Sequence, residues 1–320
     1  MVIIEFLGGG IMTKRNKGVI ARYENRCGLL VVVPVFVYFS IFSLVPVIML
    51  FWYAFRNYRI IWNVNEFVGF GNFALIFSNP DYYNSMLITL IMAMGIMAAG
   101  VIGGFFLALG MNAVSKGKGL YRTLWYIPAL LPSAASSALF NMMLRPDGNL
   151  NDILGVFGAE PIIWQNYTGW MYFFIILIIT WKGLGNTALL FIAGLNSVSK
   201  DIYEASELDG CVGLQRVFRI TLPLIRPMLG FILITGFMGA LNVFEPVLFI
   251  SGGGPDGTTK VILYQIYDEA FVNDNHGLAS ALSVIVLFFA FILTFISMKI
   301  TDDSMLKFEE KREQKAEVQA

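Results

Sequence analysis

The chain alternates long apolar runs with short polar connections. Six of the runs predict membrane-spanning helices, each of which needs roughly 20 residues to cross the hydrocarbon of a bilayer. They lie at about 28–54, 86–112, 120–143, 170–194, 229–250 and 277–299. Pro34 and Pro46 in the first run, and Pro128 and Pro132 in the third, are tolerable in a bundle whose neighbouring groups satisfy the carbonyls that proline frees. The third run, "LYRTLWYIPALLPSAASSALF", equally describes a broken helix, with Tyr121 and Trp125 as an interfacial anchor. The fourth contains "TWKGLGNTALLFIAGL". Its Lys182 either snorkels toward a headgroup or faces a polar cavity.

Composition agrees with an all-α membrane protein. Of 320 residues, 57% are hydrophobic and only 14% charged, against about 25% charged in soluble domains. Mean hydropathy is +0.69. The formal net charge of zero suggests no nucleic-acid partner. The charges are unevenly placed, however. Seventeen Lys and Arg residues fall in the N-terminal segment 1–27, in 113–122, in 195–228 and in the C-terminal tail 299–320. The alternate connections hold only Arg56, Arg59, Arg145 and Lys260. With six crossings the seventeen share one side, so the positive-inside rule predicts that both termini are cytoplasmic. The N-terminal basic cluster follows its short apolar piece, which is not the order of a cleaved signal peptide. Cys27 and Cys211 are the only cysteines, too few for a disulfide scaffold or a cysteine metal cluster. The tail reads as a solvated helical end.

One polar stretch, 199–223, interrupts the apolar chain: "SKDIYEASELDGCVGLQRVFRITLP". Residues 199–209 predict a short helix, with Ser199 as its cap and Asp201 placed against the exposed amides of its first turn. Ile202, Ala205 and Leu208 recur at three-residue spacing and outline one apolar face, while Glu204 and Asp209 lie elsewhere on the surface. Gly210 stops the helix or allows close approach of another backbone. An amphipathic pattern restarts at Val217 and Ile220, and Pro223 ends it or redirects it into the next run. Spacing alone fits two readings: a loop resting at the membrane interface, or a rigid knob gripped by a cytoplasmic partner.

This stretch resembles the cytoplasmic EAA loop of bacterial ABC importer permeases: Glu-Ala-Ala, three residues, Gly, nine residues, then Ile-x-Leu-Pro. The chain has Glu204-Ala205-Ser206, then Gly210, then Ile220-Thr221-Leu222-Pro223. Ser206 for the second alanine is the departure, a small residue that preserves close packing and adds a hydroxyl. The resemblance implies a coupling helix seated in a cleft of the ATP-hydrolysing subunit, with Glu204, Ala205, Ser206, Asp209, Gly210, Ile220, Leu222 and Pro223 at that contact. "LYRTLWYIPALLPSAASSALFNMMLRPDGNLN" and "TWKGLGNTALLFIAGLNSVSKDIYEA" look like the family segments leading to this loop. "FEPVLFISGGGPDGTT" with "YQIYDEAF" resembles an external loop of the MalF-like subgroup. The resemblance covers roughly 86–298, with the helix at 28–54 as an added element. It implies an all-α type I importer permease fold of six transmembrane helices in a bacterial plasma membrane. It further implies a MalG-like second permease, two ATP-binding subunits or domains carrying ATP and Mg, and an extracytoplasmic solute-binding protein. The implied substrate is a small molecule: a sugar, an oligosaccharide or a glycerol-derived polyol. No cofactor and no metal are expected on this chain, and no catalysis.

The remaining candidates are weaker. "GGGPDGTTK" at 252–260 has the glycine separation of a phosphate-binding loop, but Thr258 stands where that loop needs lysine. His276 lacks a local set of partners for catalysis or metal binding. Asn242 and Glu245, three residues apart in the fifth run, suit one helical face lining a substrate pathway. The alternative there is a structural hydrogen bond near the outer interface. A self-sufficient secondary transporter predicts membrane acids and often duplicated halves, for which Glu245 alone is meagre support.

Overall fold

The computed structural model describes residue 30, residues 32–114 and 116–295, and residue 299. The segment 1–27 with Cys27, and the tail 300–320, lie outside the described residues. The chain divides into two units, Met1–Tyr53 and Ala54–Ala320. Helix α1 (Val32–Ala54) is long and apolar. It loosens into a π turn at Ser40–Leu44, closed by the Val45 amide donating to the Ser40 carbonyl, just before Pro46, which cannot donate to the helical ladder.

The second unit opens with a hairpin, β1 (Arg56–Arg59) and β2 (Val64–Phe67), paired antiparallel with Arg56 opposite Phe67. Helices follow: α2 (Gly71–Ser78), α3 (Pro80–Ala113), α4 (Lys118–Leu130), α5 (Ser133–Met143), α6 (Asn149–Val156) and α7 (Thr168–Asn196). Next come α8 (Lys200–Leu208), α9 (Gly213–Leu224), α10 (Arg226–Ala240), a short α11 at 245–251, α12 (Ile262–Tyr267) and α13 (His276–Phe295). The start of α3 is set by sequence: Asn79 accepts a hydrogen bond from the Asp81 amide, and Pro80 occupies the first turn, where its missing N–H costs nothing.

The expectation of six transmembrane helices is overturned. Among the described residues, four helices are long and apolar enough to cross a membrane: α1, α3, α7 and α13. The count reaches five if the pair α9–α10, bent by 78° at Ile225, is taken as one span. The predicted third run, 120–143, is two helices of 13 and 11 residues. At about 1.5 Å per residue each reaches only about 20 Å or less, short of the roughly 30 Å hydrocarbon core. The break falls at Leu131, which is extended (φ −72°, ψ 134°) because the ring of Pro132 disfavours helical geometry in the residue before it. The predicted fifth run, 229–250, also fails as one helix. It stops at Ala240, and the chain turns before a new helix starts at Glu245-Pro246. Among the described residues the fold is all-α apart from the hairpin, which the hydropathy pattern did not announce.

Small residues let α3 and α7 pack closely. A Cβ added to Gly95, Gly103 or Gly104 would approach Ile176, Leu184 or Thr187 to 2.7, 2.8 or 2.6 Å. The matching order of these contacts shows that the two helices run parallel. Close approach through small residues is how membrane helices gain packing when lipid supplies no hydrophobic drive. Phe105, Ala108 and Met111 of α3 meet Ala188, Phe191 and Leu195 of α7, and Ile225 and Ile232 close this cluster. Helix α4 crosses α7 at Gly185, where a side chain would run into the Trp125 carbonyl.

The hairpin is clamped onto the start of α13. Asp274, in the left-handed region at φ 50°, accepts hydrogen bonds from the Ile60 and Ile61 amides at 3.1 and 2.8 Å. Gly277 leaves room for the Arg56 carbonyl. Buried Asn72 donates to the carbonyls of Ala54 and Arg56, each at 2.9 Å.

Candidate functional site

Two regions are candidates for function: the polar segment around α8 and a cavity between α3, α4, α5, α7 and α10. The segment forms as its sequence predicts, with the Ser199 hydroxyl accepting from the Asp201 amide at the start of α8. Gly210 ends it in the left-handed region at φ +72°. Cys211 N then returns to the Ser206 carbonyl at 2.8 Å. Such a C-terminal turn suits glycine because no Cβ has to clear the backbone.

The outward surface of α8 differs from an ordinary amphipathic helix. Ile202, Ala205 and Leu208, the expected apolar face, are all exposed, and Leu208 is 90% exposed. Val212, Leu214 and Phe218 extend this exposed apolar surface beyond the turn. Glu204, Asp209 and Gly210 are exposed as well, whereas Ser206 is buried and its hydroxyl donates to the Tyr203 carbonyl at 2.7 Å. Ile220, Leu222 and Pro223 are half-buried where α9 joins the helical body. One interaction had no separate sequence signal. The Arg216 guanidinium of α9 donates to Glu207 of α8 at 2.7 Å and lies 5.4 Å from the centre of the Tyr203 ring. It staples α8 to α9.

The cavity has a volume of about 550 Å³. Asn242 and Glu245 both line it, but not from one helical face. Asn242 sits in the turn after α10, with its amide donating to the Met238 carbonyl at 2.9 Å, and Glu245 opens α11. The break in the predicted fifth run, not helical periodicity, brings the two together. Lys182 of α7 lines the same space and donates to the Ser133 hydroxyl of α5 at 2.5 Å. Of the two sequence readings of Lys182, the cavity is the one realised. Ser133 and Asn186 were not singled out in the sequence. Asn186 follows Lys182 by four residues, the helical spacing that shares a face. Gly100, Gly183, Gly236 and Gly239 contribute wall without filling the volume.

The glycine-rich loop packs at the N-terminal end of α7, the end opposite α8. Tyr172 donates to the Thr258 carbonyl at 3.0 Å, and the hydroxyls of Thr168 and Thr258 are 3.0 Å apart. Lys260 pairs with Asp268 at 2.6 Å. Burial, followed by the Asp268 carboxylate, pushes the nearby Tyr264 hydroxyl above its ordinary range, with Lys260 opposing, so the phenol is neutral near pH 7. His276 lies 3.4 Å from Asp274 at the hairpin clamp. A buried acid missed in the sequence, Glu269, accepts from Tyr82 at 3.0 Å and from Gln265 at 3.2 Å. Among the described residues, no group of three or more His, Cys, Asp or Glu is placed to hold a metal ion.

Comparison with known proteins gives a consistent answer. Residues 100–307 match the family described as "Binding-protein-dependent transport system inner membrane component". The chain is 29% identical over 278 residues to the trehalose/maltose transport system permease protein MalF of Thermococcus litoralis, covering 87% of this chain and 94% of that one. It is 31% identical over 275 residues to the sn-glycerol-3-phosphate transport system permease protein UgpA of Yersinia pestis, covering 85% and 93%. Among solved structures, it is similar to a chain of a bacterial alginate ABC transporter in complex with an alginate pentasaccharide-bound periplasmic protein. That match has a TM-score of 0.75 and 25% identity, over 88% of this chain and 94% of that one.

Proposed function

Because this chain belongs to the family of binding-protein-dependent transport system inner membrane components, we propose that it is the MalF-like permease of an importer for a sugar, an oligosaccharide or a glycerol-derived polyol. As a permease component of a bacterial ABC importer it forms part of the translocation pathway, and ATP is hydrolysed on separate partner subunits. In our reading those partners are two ATP-binding subunits with their Mg, a MalG-like second permease and an extracytoplasmic solute-binding protein. The carbohydrate assignment draws support from the relatives named for trehalose/maltose and alginate. UgpA, named for sn-glycerol 3-phosphate, supports the polyol end of the range. Nothing supports the secondary-transporter alternative.

The observation that carries the mechanism is the uncovered apolar surface of α8. An apolar surface of this kind, with Leu208 90% exposed beside Glu204 and Gly210, suits a contact that a partner covers. We assign that partner as the ATPase subunit. Closure of two ATPase subunits around nucleotide would push on Glu204, Ala205, Ser206, Asp209 and Gly210. Ile220, Leu222 and Pro223 would pass the movement into α10, whose far end borders the cavity. Asn242, a donor and acceptor, and ionised Glu245, an acceptor, would meet substrate hydroxyls there. Helices α3 and α7 run parallel, so the basic connections 113–122 and 195–228 at their C-terminal ends share a side, which supports our placing α8 on the cytoplasmic face; we place the basic N-terminal segment and tail there too. The permease core is taken as 86–298, with 28–54 as an added helix.

The test uses the assembled complex in lipid nanodiscs with its binding protein. Leu208→Asp and Glu204→Lys alter exposed side chains, so the fold and membrane insertion are expected to persist. Substrate-stimulated ATP hydrolysis is expected to fall at least several-fold. Full stimulation in both variants would remove α8 from the ATPase contact. If no saccharide or polyol stimulates the unaltered complex, the substrate assignment is wrong.

A further inference from the structure

A second polar cavity lies farther along the same pair of parallel helices. Its volume is about 650 Å³, and its walls include Asp81 and Asn84 of α3, Thr168 of α7, Asp256 and Lys260 of the glycine-rich loop, and Gln265 of α12. The first cavity uses residues 96–101 of α3 and 178–190 of α7. On α3 the lining of one ends at Ile88 and that of the other begins at Ile96, a gap of roughly 12 Å of helix. The second cavity therefore stands in series with the first, at the end of α7 away from α8.

Its chemistry is one-sided. Gln265 is only 5% exposed. Its Nε2 donates to Glu269 at 3.2 Å, but its Oε1 accepts no hydrogen bond among the described residues. A buried acceptor left in that condition calls for a donor from outside. Among the described residues neither Asp81 nor Asp256 is in an ion pair, and the one cation in the wall, Lys260, is already neutralised by Asp268. The wall thus presents surplus acceptors and two carboxylates without an ion-pair partner among the described residues. A hydroxyl satisfies such a wall, since it donates to the carboxylates and the amide oxygen and accepts from the Asn84 amide. A phosphate or carboxylate brings further acceptors and a repelled charge.

We propose that this outer cavity is a binding subsite for a neutral, hydroxyl-rich solute, held there on its way to the inner cavity, and that Asp81 and Asp256 exclude anions from it. The proposal rests on the importer reading and narrows it, because it selects a neutral saccharide or polyol over an acidic or phosphorylated one.

The experiment is thiol protection in the assembled complex, with Cys27 and Cys211 replaced by serine. A Leu87→Cys reporter probes the outer cavity and a Thr235→Cys reporter the inner one, with Ile88→Cys as a second outer reporter if the first does not assemble. The probes are a panel of neutral mono- and disaccharides including maltose and trehalose, and sn-glycerol 3-phosphate. At least one neutral saccharide is expected to slow alkylation at the outer reporter several-fold, and sn-glycerol 3-phosphate to leave it unchanged. The Asp81→Asn, Asp256→Asn pair is expected to weaken the sugar's protection and to admit sn-glycerol 3-phosphate. Protection at the inner reporter alone overturns the outer subsite and leaves the importer reading intact. Protection of the outer reporter by sn-glycerol 3-phosphate, with both aspartates present, overturns the exclusion of anions. Failure of every neutral probe at both reporters overturns the subsite together with the carbohydrate reading.

Discussion

Arg216 holds two helices at a fixed angle through a single guanidinium, shared between the Glu207 carboxylate and the Tyr203 ring. The Glu207 side chain is 60% exposed, and an exposed ion pair of this kind contributes only about 0–1 kcal/mol to stability. Its value lies in orientation: α8 is exposed on its apolar side, so its direction relative to α9 depends on few contacts. Arg216→Ala is therefore expected to leave the thermal midpoint of the complex nearly unchanged while lowering substrate-stimulated ATP hydrolysis. The exchanged pair Glu207→Arg, Arg216→Glu is expected to restore part of it. A large drop in thermal midpoint with normal coupling would assign the contact to stability instead. Lys182 illustrates the complementary case of a residue legible by type but not by partner. A lysine in an apolar run announces a polar surrounding. Which hydroxyl receives it, Ser133 on α5, follows only from the crossing of α5 and α7.

At the scale of elements, hydropathy read α7 (Thr168–Asn196) almost to its ends and missed the first turns of α3, which starts at Pro80 and not at 86; the meeting surface of the two was not readable. Gly95, Gly103 and Gly104 are scattered among 31 glycines in the chain, and only packing shows that these three sit against α7. Gly185 is the most demanding, because α4 passes directly over it at the Trp125 carbonyl. Gly185→Val requires α4 to move, and overpacking of this kind costs about 1–3 kcal/mol or more. Its expected result is a lower thermal midpoint and loss of the Lys182–Ser133 bond, with reduced transport. Gly183→Ala, at a position with open space around it, is the control and is expected to assemble normally. Equal stability of the two variants would contradict the close crossing of α4 and α7.

At the scale of the whole molecule, the glycine-rich loop and α8 lie at opposite ends of α7. That helix has 29 residues, or about 44 Å at 1.5 Å per residue, long enough to separate them by the full hydrocarbon thickness. Reporters of membrane sidedness fused at each terminus and inserted at residues 211 and 257 are therefore expected to divide cleanly. The termini and residue 211 should respond to a cytoplasmic probe, and residue 257 to an external one. A cytoplasmic response at 257 would reverse the orientation, and with it the assignment of the outer cavity to the incoming solute.

The sequence by itself determined the membrane class, the long apolar helices and the start and stop of α8. Each of these is a local quantity: summed transfer energy over about 20 residues, a capping hydroxyl, a glycine at positive φ. The resemblance of Glu204 through Pro223 placed the family, which the comparisons bear out. Continuity of the third and fifth runs was decided elsewhere. Hydropathy averages over a window and passes smoothly across Leu131-Pro132 and Phe244-Pro246, where the backbone turns. The tertiary structure alone brought Lys182, Ser133, Asn242 and Glu245 around one cavity, and Asp81, Asp256 and Gln265 around another. The residues that meet there belong to different helices, so their proximity depends on crossing angles and breaks that no single segment encodes.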